Sequence, residues 1–199
     1  LTKKTLPFDA PYDERFRDYM LETAKALMRC GPSIRYAYTQ SDEISLLFQR
    51  DDDSFGRRLD KLNSILAGVA SSAFTLALGA CATFDCRVSQ LPGTQEVVDY
   101  FRWRQADAKR NAISAHSYWM LRRRGLSVRE ATERLVGMSE RARQDLMFNG
   151  GTNFNDIPSW QKRGIGLVWQ NTERAATDPR TAASVVAVRR ELTVETELP

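Results

Sequence analysis

One histidine and three cysteines are all that the 199-residue chain offers as soft metal ligands. Cys30, Cys81 and Cys86 are odd in number, which argues against a disulfide framework and for a reducing compartment. A zinc site built from Cys81, Cys86 and His116 lacks a fourth ligand, so the thiols are expected to be free and buried. His116 by itself is expected to serve the core or a hydrogen bond rather than act as a general base. No signal-peptide pattern opens the chain, and no apolar run reads as long enough to span a bilayer. The expected setting is therefore cytoplasmic, without a membrane. There is no internal repeat and no low-complexity segment. The opening Leu1-Thr2-Lys3-Lys4 reads as a trimmed N-terminus.

What is present is an ordinary globular profile. At 42% hydrophobic and 27% charged residues, the chain can build one sizeable core. The net charge of +4 and pI near 9.1 are compatible with a polyanionic partner without requiring one.

The stretch around which the rest is organised is Tyr38-Thr39-Gln40-Ser41-Asp42-Glu43-Ile44-Ser45-Leu46-Leu47-Phe48. Two alternating segments, Ile34–Thr39 and Ile44–Phe48, flank a polar tip that holds Asp42 and Glu43, which predicts a hairpin. Adjacent acids at an apolar hairpin tip suit a magnesium ion, which takes one or two carboxylates and leaves its other positions to water and phosphates. A solvated turn is the competing reading.

Around the hairpin, Asp13 to Cys30 reads as a helix with Asp13 as N-cap and Phe16, Met20, Ala24 and Leu27 as its apolar stripe. A second helix is expected from about Phe55 to Leu78. Arg57, Arg58 and Lys61 would then lie near its N-terminus, where an anion would relieve their mutual repulsion. Ala82–Val88 reads as a short strand, and Thr94 towards Arg124 as a long helix on which Arg104, Asp107 and Asn111 share a polar face. That face could form a buried hydrogen-bond network or contact a nucleotide. Ser127 and Glu130 form a capping box, with a helix to about Val136 and another from Ser139 to about Phe148. Trp160-Gln161-Lys162-Arg163 leads into a strand at Gly164–Gln170; an aromatic beside two cations suits a stacked base and a phosphate, or an ordinary strand entry. Asn171–Thr181 reads as a linker and Ala183–Leu198 as a terminal strand.

Taken in order, Gln40-Ser41-Asp42-Glu43, the helix with Arg58 and Lys61, Phe84-Asp85-Cys86-Arg87, Trp103-Arg104-Gln105-Ala106-Asp107 with Asn111, Asn153-Phe154-Asn155, and Lys162-Arg163-Gly164 resemble the tRNA-histidine guanylyltransferase family and its guanylyltransferase-like relatives, the 3′–5′ RNA polymerases. The resemblance covers roughly residues 7–170 and implies an α+β, polymerase-like palm: an antiparallel sheet backed by helices. It makes residues 1–170 the catalytic unit and 171–199 a linker with a C-terminal strand. It implies two magnesium ions, GTP and ATP as substrates, tRNA as partner and a homotetramer.

Residue by residue, the resemblance makes Asp42 the metal ligand, Glu43 its acidic neighbour, and Ser41, Arg58, Lys61 and Asn111 nucleotide contacts. Arg104, Lys162 and Arg163 are weaker RNA-binding candidates. The implied activity is addition of nucleotides to the 5′ end of tRNA, as 5′-end repair or as guanylylation of tRNA-His. Alternatives are a nucleotide cyclase on a related palm and an inert tRNA-binding fragment. Two departures stand out. The family's other metal-binding acid lies in an upstream Arg-x-Asp-Gly-Arg-x-Phe motif that is absent here, so metal binding by this chain alone is expected to be poor. Lys109-Arg110-Asn111-Ala112 replaces a histidine-x-asparagine-asparagine tract, which points towards the bacterial and archaeal guanylyltransferase-like proteins.

Overall fold

The computed structural model describes residues 8–198. Helix α1 spans Glu14–Met28 and buries the expected stripe of Phe16, Met20, Ala24 and Leu27. Its start is fixed by Asp13, whose carboxylate accepts the Arg15 backbone N–H at 2.8 Å, the Asp9 N–H at 2.8 Å and the Arg15 guanidinium at 2.6 Å. These bonds, that to the Arg15 side chain foremost, hold the Asp13 carboxyl well below the usual carboxylate range. A depressed carboxylate contributes stability above its unfolded pKa of about 3.9 and loses it as pH falls towards the folded value. Asp13→Ala is therefore expected to cost about 1 kcal/mol at pH 7. Asp13→Asn, which keeps a capping oxygen, should flatten the acid limb of the stability curve below about pH 4 in urea titrations.

The hairpin follows as β1, Ile34–Gln40, and β2, Glu43–Phe48. They belong to one four-stranded antiparallel sheet in the order β2-β1-β3-β4, with β3 at Ile165–Thr177 and β4 at Ser184–Glu195. On one face of the sheet, Ile34, Ala37 and Leu167 share a core with Ala24 and Leu27 of α1 and with Leu66 and Ala70 of α2, which spans Leu59–Leu78. On the other face, Tyr36 and Tyr38 meet Phe101 edge-on, with ring centroids 5.1 and 6.3 Å apart. Phe101 belongs to α3, a 30-residue helix over Thr94–Arg123. Its later turns pack with α4, Val128–Leu135, and α5, Glu140–Asn149, through Ile113, Leu121, Ala131, Leu135 and Met147. The capping box at Ser127 and Glu130 forms as expected. The short helix α6, Ser159–Arg163, leads into β3.

The structure departs from the sequence reading in five places. α2 begins at Leu59, not Phe55, because Phe55, Gly56 and Arg57 all have φ near +60°, which a right-handed helix excludes. Arg57 is therefore off the helix, and Arg58 is in its N-cap position. Ala82–Val88 pairs with no strand; α2 side chains hold its backbone instead, Ser71 Oγ accepting the Phe84 N–H at 2.8 Å and Thr75 Oγ1 accepting the Ala82 N–H at 3.0 Å. The stretch taken for a linker is strand as far as Thr177, because it pairs residue for residue with β4. Cys81 is exposed; Cys30 and Cys86 are half-buried, and all three are free. Finally, α2 is 20 residues long with a mean hydropathy of 1.3, enough by length and composition to cross a membrane.

Candidate active site at the hairpin tip

The tip of the hairpin is two residues, Ser41 and Asp42, since Gln40 and Glu43 already pair across the ladder. Ser41 has φ +56°, and Thr39 Oγ1 donates to the Glu43 carbonyl at 3.0 Å, which braces the turn. Glu43 is thus the first residue of β2 rather than part of the tip. Beside the tip lies a cavity of about 350 Å³ lined by Gln40, Ser41, Asp42 and Glu43, by Asp107 and Asn111 of α3, and by Tyr12.

The three acids around this cavity stand in different electrostatic settings. Glu43 is paired with the Arg104 guanidinium, and Arg104 is only 8% exposed. Asp107 accepts Arg110 at 3.0 Å and the Asn111 amide at 3.1 Å. Among the described residues Asp42 has no ion-pair partner, and it is exposed at the cavity mouth. Burying Arg104 without a counter-charge would be costly, so Glu43 serves first as the anion that neutralises it. That leaves Asp42 as the carboxylate available to an incoming cation. Gln40 Nε2 is buried beside it without a hydrogen-bond partner.

On the far side of the cavity Tyr12 stacks on His116, with centroids 5.5 Å apart, and meets Trp160 edge-on at 5.8 Å. Burial pushes the Tyr12 hydroxyl up to about 12. His116 Nε2 lies 2.8 Å from Gln161 Oε1, an acceptor, so that nitrogen carries the proton. Burial lowers the His116 pKa, the neutral ring being favoured, so its contribution to stability is lost as pH falls through about 6.5. With one histidine in the chain, an NMR titration should give a single imidazole pKa below 6.5; a value above it would contradict this assignment. His116 is thus a hydrogen-bonding residue of the core, as its isolation in the sequence implied.

Of the other sequence candidates, the structure brings Asn111 to the cavity but not Arg58 or Lys61, which line neither it nor the larger groove along β2. Arg58 is paired with its neighbour Asp60 at 2.6 Å and both are exposed; Lys61 is exposed. Arg104 is a buried partner of Glu43 rather than a surface cation. Lys162 donates to the Asn155 carbonyl at 2.8 Å, and Arg163 to the Leu198 carbonyl at 2.6 Å. Tyr12 and Asp107 were not singled out as site residues. Asp107 announced itself only through its spacing from Asn111, and nothing local marks Tyr12.

The described residues contain no group of three or more potential metal ligands. A closed protein cage for a metal is thus absent among them. Magnesium needs no such cage when it arrives on a triphosphate, and one carboxylate at a polar cavity fits that mode.

Comparison with known proteins converges on one family. A family model described as tRNAHis guanylyltransferase matches residues 1–92, and one described as Thg1 C terminal domain matches residues 95–197. A probable tRNA(His) guanylyltransferase of Drosophila melanogaster is 31% identical across 95% of this chain and 68% of its own length. The tRNA(His) guanylyltransferase of Debaryomyces hansenii is 33% identical across 81% of this chain and 66% of its own. With the probable enzyme of Mus musculus the chain shares 30% identity and spans 61% of that protein. The chain thus spans about two thirds of the length of these curated relatives. Among solved structures, a bacterial tRNA(His) guanylyltransferase-like protein in complex with GTP superposes with a TM-score of 0.74 at 30% identity, covering 99% of this chain and 78% of that one. The same kind of protein in complex with ATP gives 0.74 as well, over 96% of this chain and 76% of that one. The Saccharomyces cerevisiae enzyme shares the fold at a TM-score of 0.78 and 24% identity, over 94% and 82% of the two chains.

Proposed function

The chain belongs to the tRNAHis guanylyltransferase family, and on that premise we propose that it is a nucleotidyltransferase acting at the 5′ end of tRNA in the 3′–5′ direction. The observation that carries the reading is the convergence of Ser41, Asp42, Asp107 and Asn111 on one polar cavity, with Asp42 the acid left without an ion-pair partner. GTP and ATP are the proposed substrates, in keeping with the complexes of the bacterial neighbours.

Asp42 would hold magnesium, two ions being the number that the family resemblance implies. When bound, the metal supplies charge neutralisation for the triphosphate and the reacting oxygens. The chain's own residues do the rest by position. Asn111 can donate an amide N–H to a phosphate or ribose oxygen, its orientation set by Asp107. Ser41 carries its hydroxyl at the cavity rim. The Glu43–Arg104 pair fixes the end of β2 and with it the direction in which Asp42 points. In the reaction, the 3′-hydroxyl oxygen of the incoming nucleotide forms a bond to the 5′-terminal phosphorus. The bond from that phosphorus to its leaving group breaks, releasing pyrophosphate from a triphosphate end or AMP from an adenylylated one, and the hydroxyl proton passes to solvent. Little covalent work falls to side chains, so orientation and charge carry the rate.

The palm description, the homotetramer and the cytoplasmic setting belong to this proposal, as does the contact of Lys162 and Arg163 with RNA. The test is incubation of the protein with a 5′-truncated tRNA, radiolabelled GTP and magnesium. The reading requires a tRNA product lengthened at its 5′ end. A cyclic nucleotide formed without RNA would establish the cyclase instead, and RNA binding without any product would establish an inert module.

A further inference from the structure

Gln40, the last residue of β1, is only 6% exposed, yet its amide Nε2 is buried with no hydrogen-bond partner. Residues two apart on a strand share a face, so Gln40 follows Tyr36 and Tyr38 on the side that meets α3. Aromatic rings fill the first two of these positions, and an apolar side chain would be the ordinary choice for the third. A buried amide N–H left unpaired is costly, because it gives up its bond to water and receives nothing in return. Acceptors are near, but they are taken. Glu43 faces Gln40 across the ladder and is paired with Arg104; Asp107 accepts from Arg110 and Asn111. Arg104 and Arg143 also leave a buried Nε unpaired, but their guanidinium groups are bonded elsewhere, to Glu43 and to Ser114 and the Leu135 carbonyl. Gln40 lines the cavity at the hairpin tip, so its donor is left for what enters there.

The charge of the cavity decides which part of a nucleotide that is. The carboxylates of Asp42, Glu43 and Asp107 line it, and among the described residues no lysine or arginine does. A triphosphate therefore stays at the mouth with Asp42, the acid available to magnesium, and the uncharged nucleoside turns inwards. A base is served by an aromatic wall, which Tyr12 supplies. The 3′-hydroxyl, the nucleophile of the proposed reaction, has to lie at Asp42, two residues beyond Gln40. Its neighbour on the ribose is the 2′-hydroxyl. We infer that the Gln40 amide donates a hydrogen bond to the 2′-hydroxyl oxygen of the incoming nucleotide and so selects ribonucleotides over deoxyribonucleotides. A neutral donor suits that partner, since a hydroxyl brings no charge to be neutralised. The contact presupposes the nucleotide site proposed above and adds its sugar selectivity.

The test is calorimetric titration of GTP and of 2′-deoxyGTP, each with magnesium, into the parent protein and Gln40→Met. Methionine keeps the length of the side chain and removes the amide. The parent should bind GTP about tenfold more tightly than 2′-deoxyGTP, the worth of one hydrogen bond from a buried donor, and the variant should bind the two within about twofold of each other. Without nucleotide, the urea midpoint of Gln40→Met should match or exceed that of the parent, since the amide has no partner to lose. Equal affinity of the parent for the two nucleotides overturns the ribose contact and leaves the nucleotide site standing. A parent that binds neither removes the site itself, and the contact with it. A preference for GTP that survives in Gln40→Met, or a lowered urea midpoint, assigns Gln40 to the fold instead and overturns the proposal.

Discussion

Gly164→Ala is expected to cost about 3–6 kcal/mol of stability, the sum of a backbone term of about 1–3 and an overpacking term of similar size. Gly164 has φ +78° and ψ −166°, a region that only glycine occupies readily. A Cβ there would lie 2.7 Å from the Thr39 carbonyl oxygen and 2.6 Å from the Tyr38 hydroxyl. The carbonyl belongs to the last residue of β1 that pairs with β3 and cannot withdraw without disturbing that ladder, in which Thr39 faces Ile165. The ring cannot withdraw either, since Tyr38 is fully buried and its hydroxyl donates to the Arg163 carbonyl at 2.7 Å. A loss of this size is a large part of a domain's usual 5–15 kcal/mol. Urea unfolding monitored by tryptophan fluorescence measures it. A loss below about 1 kcal/mol would mean that the α6–β3 junction is not packed against β1 as described.

Asp42→Asn is expected to do the reverse, leaving stability within about 0.5 kcal/mol while lowering 5′-end nucleotide addition about a thousandfold. The side chain is exposed, sits in a two-residue turn and has no ion-pair partner among the described residues, so the fold asks little of it. Asparagine keeps its size and its tolerance of turn backbone. What it removes is the negative charge. If that charge holds a metal worth several kcal/mol of charge stabilisation in the transition state, each 1.36 kcal/mol lost is a factor of ten in rate. Comparable rates for parent and variant under saturating magnesium would remove Asp42 from the chemistry. Glu43→Gln should behave differently: it leaves Arg104 buried without its counter-charge and so lowers stability along with activity.

Elements with a local signal were legible in the sequence. α1 announced itself by an N-cap and a stripe every three or four residues, the hairpin by alternation on both sides of a polar tip, and α4 by its capping box. Features that depend on distant partners were not. Ala82–Val88 alternates like a strand because Phe84 and Cys86 do face the core, yet a strand also needs a neighbour, and the sequence of one segment cannot supply that. Asn171–Thr177 looks like a linker because only the first residues of β3 pair with β1; beyond Trp169, which still packs on the core with Leu192, the ribbon of β3 and β4 is largely exposed, so little alternation is imposed. The left-handed run at Phe55–Arg57 carries just one glycine as its signal.

The site was legible to the same degree. Asp42 could be found because tip acids are visible in a hairpin pattern, and Asn111 because the motif order placed it. Arg104 carried two readings, a buried polar network or a nucleic-acid contact; the sequence did not show its partner, Glu43, which the fold sets against it. Tyr12 reaches the cavity only because the chain ahead of α1 passes Trp160 and His116. The leaning towards bacterial and archaeal proteins is not separated by the comparisons, which include animal, fungal and bacterial relatives alike.

The measurement that bears most directly on the account is a calorimetric titration of GTP into the parent protein and Asp42→Asn, each with magnesium and with EDTA. The account predicts binding to the parent that is at least tenfold tighter with magnesium, and no such gain in the variant. Equal affinity of the parent with magnesium and with EDTA, or an undiminished gain in Asp42→Asn, would contradict a metal-nucleotide site at the hairpin tip.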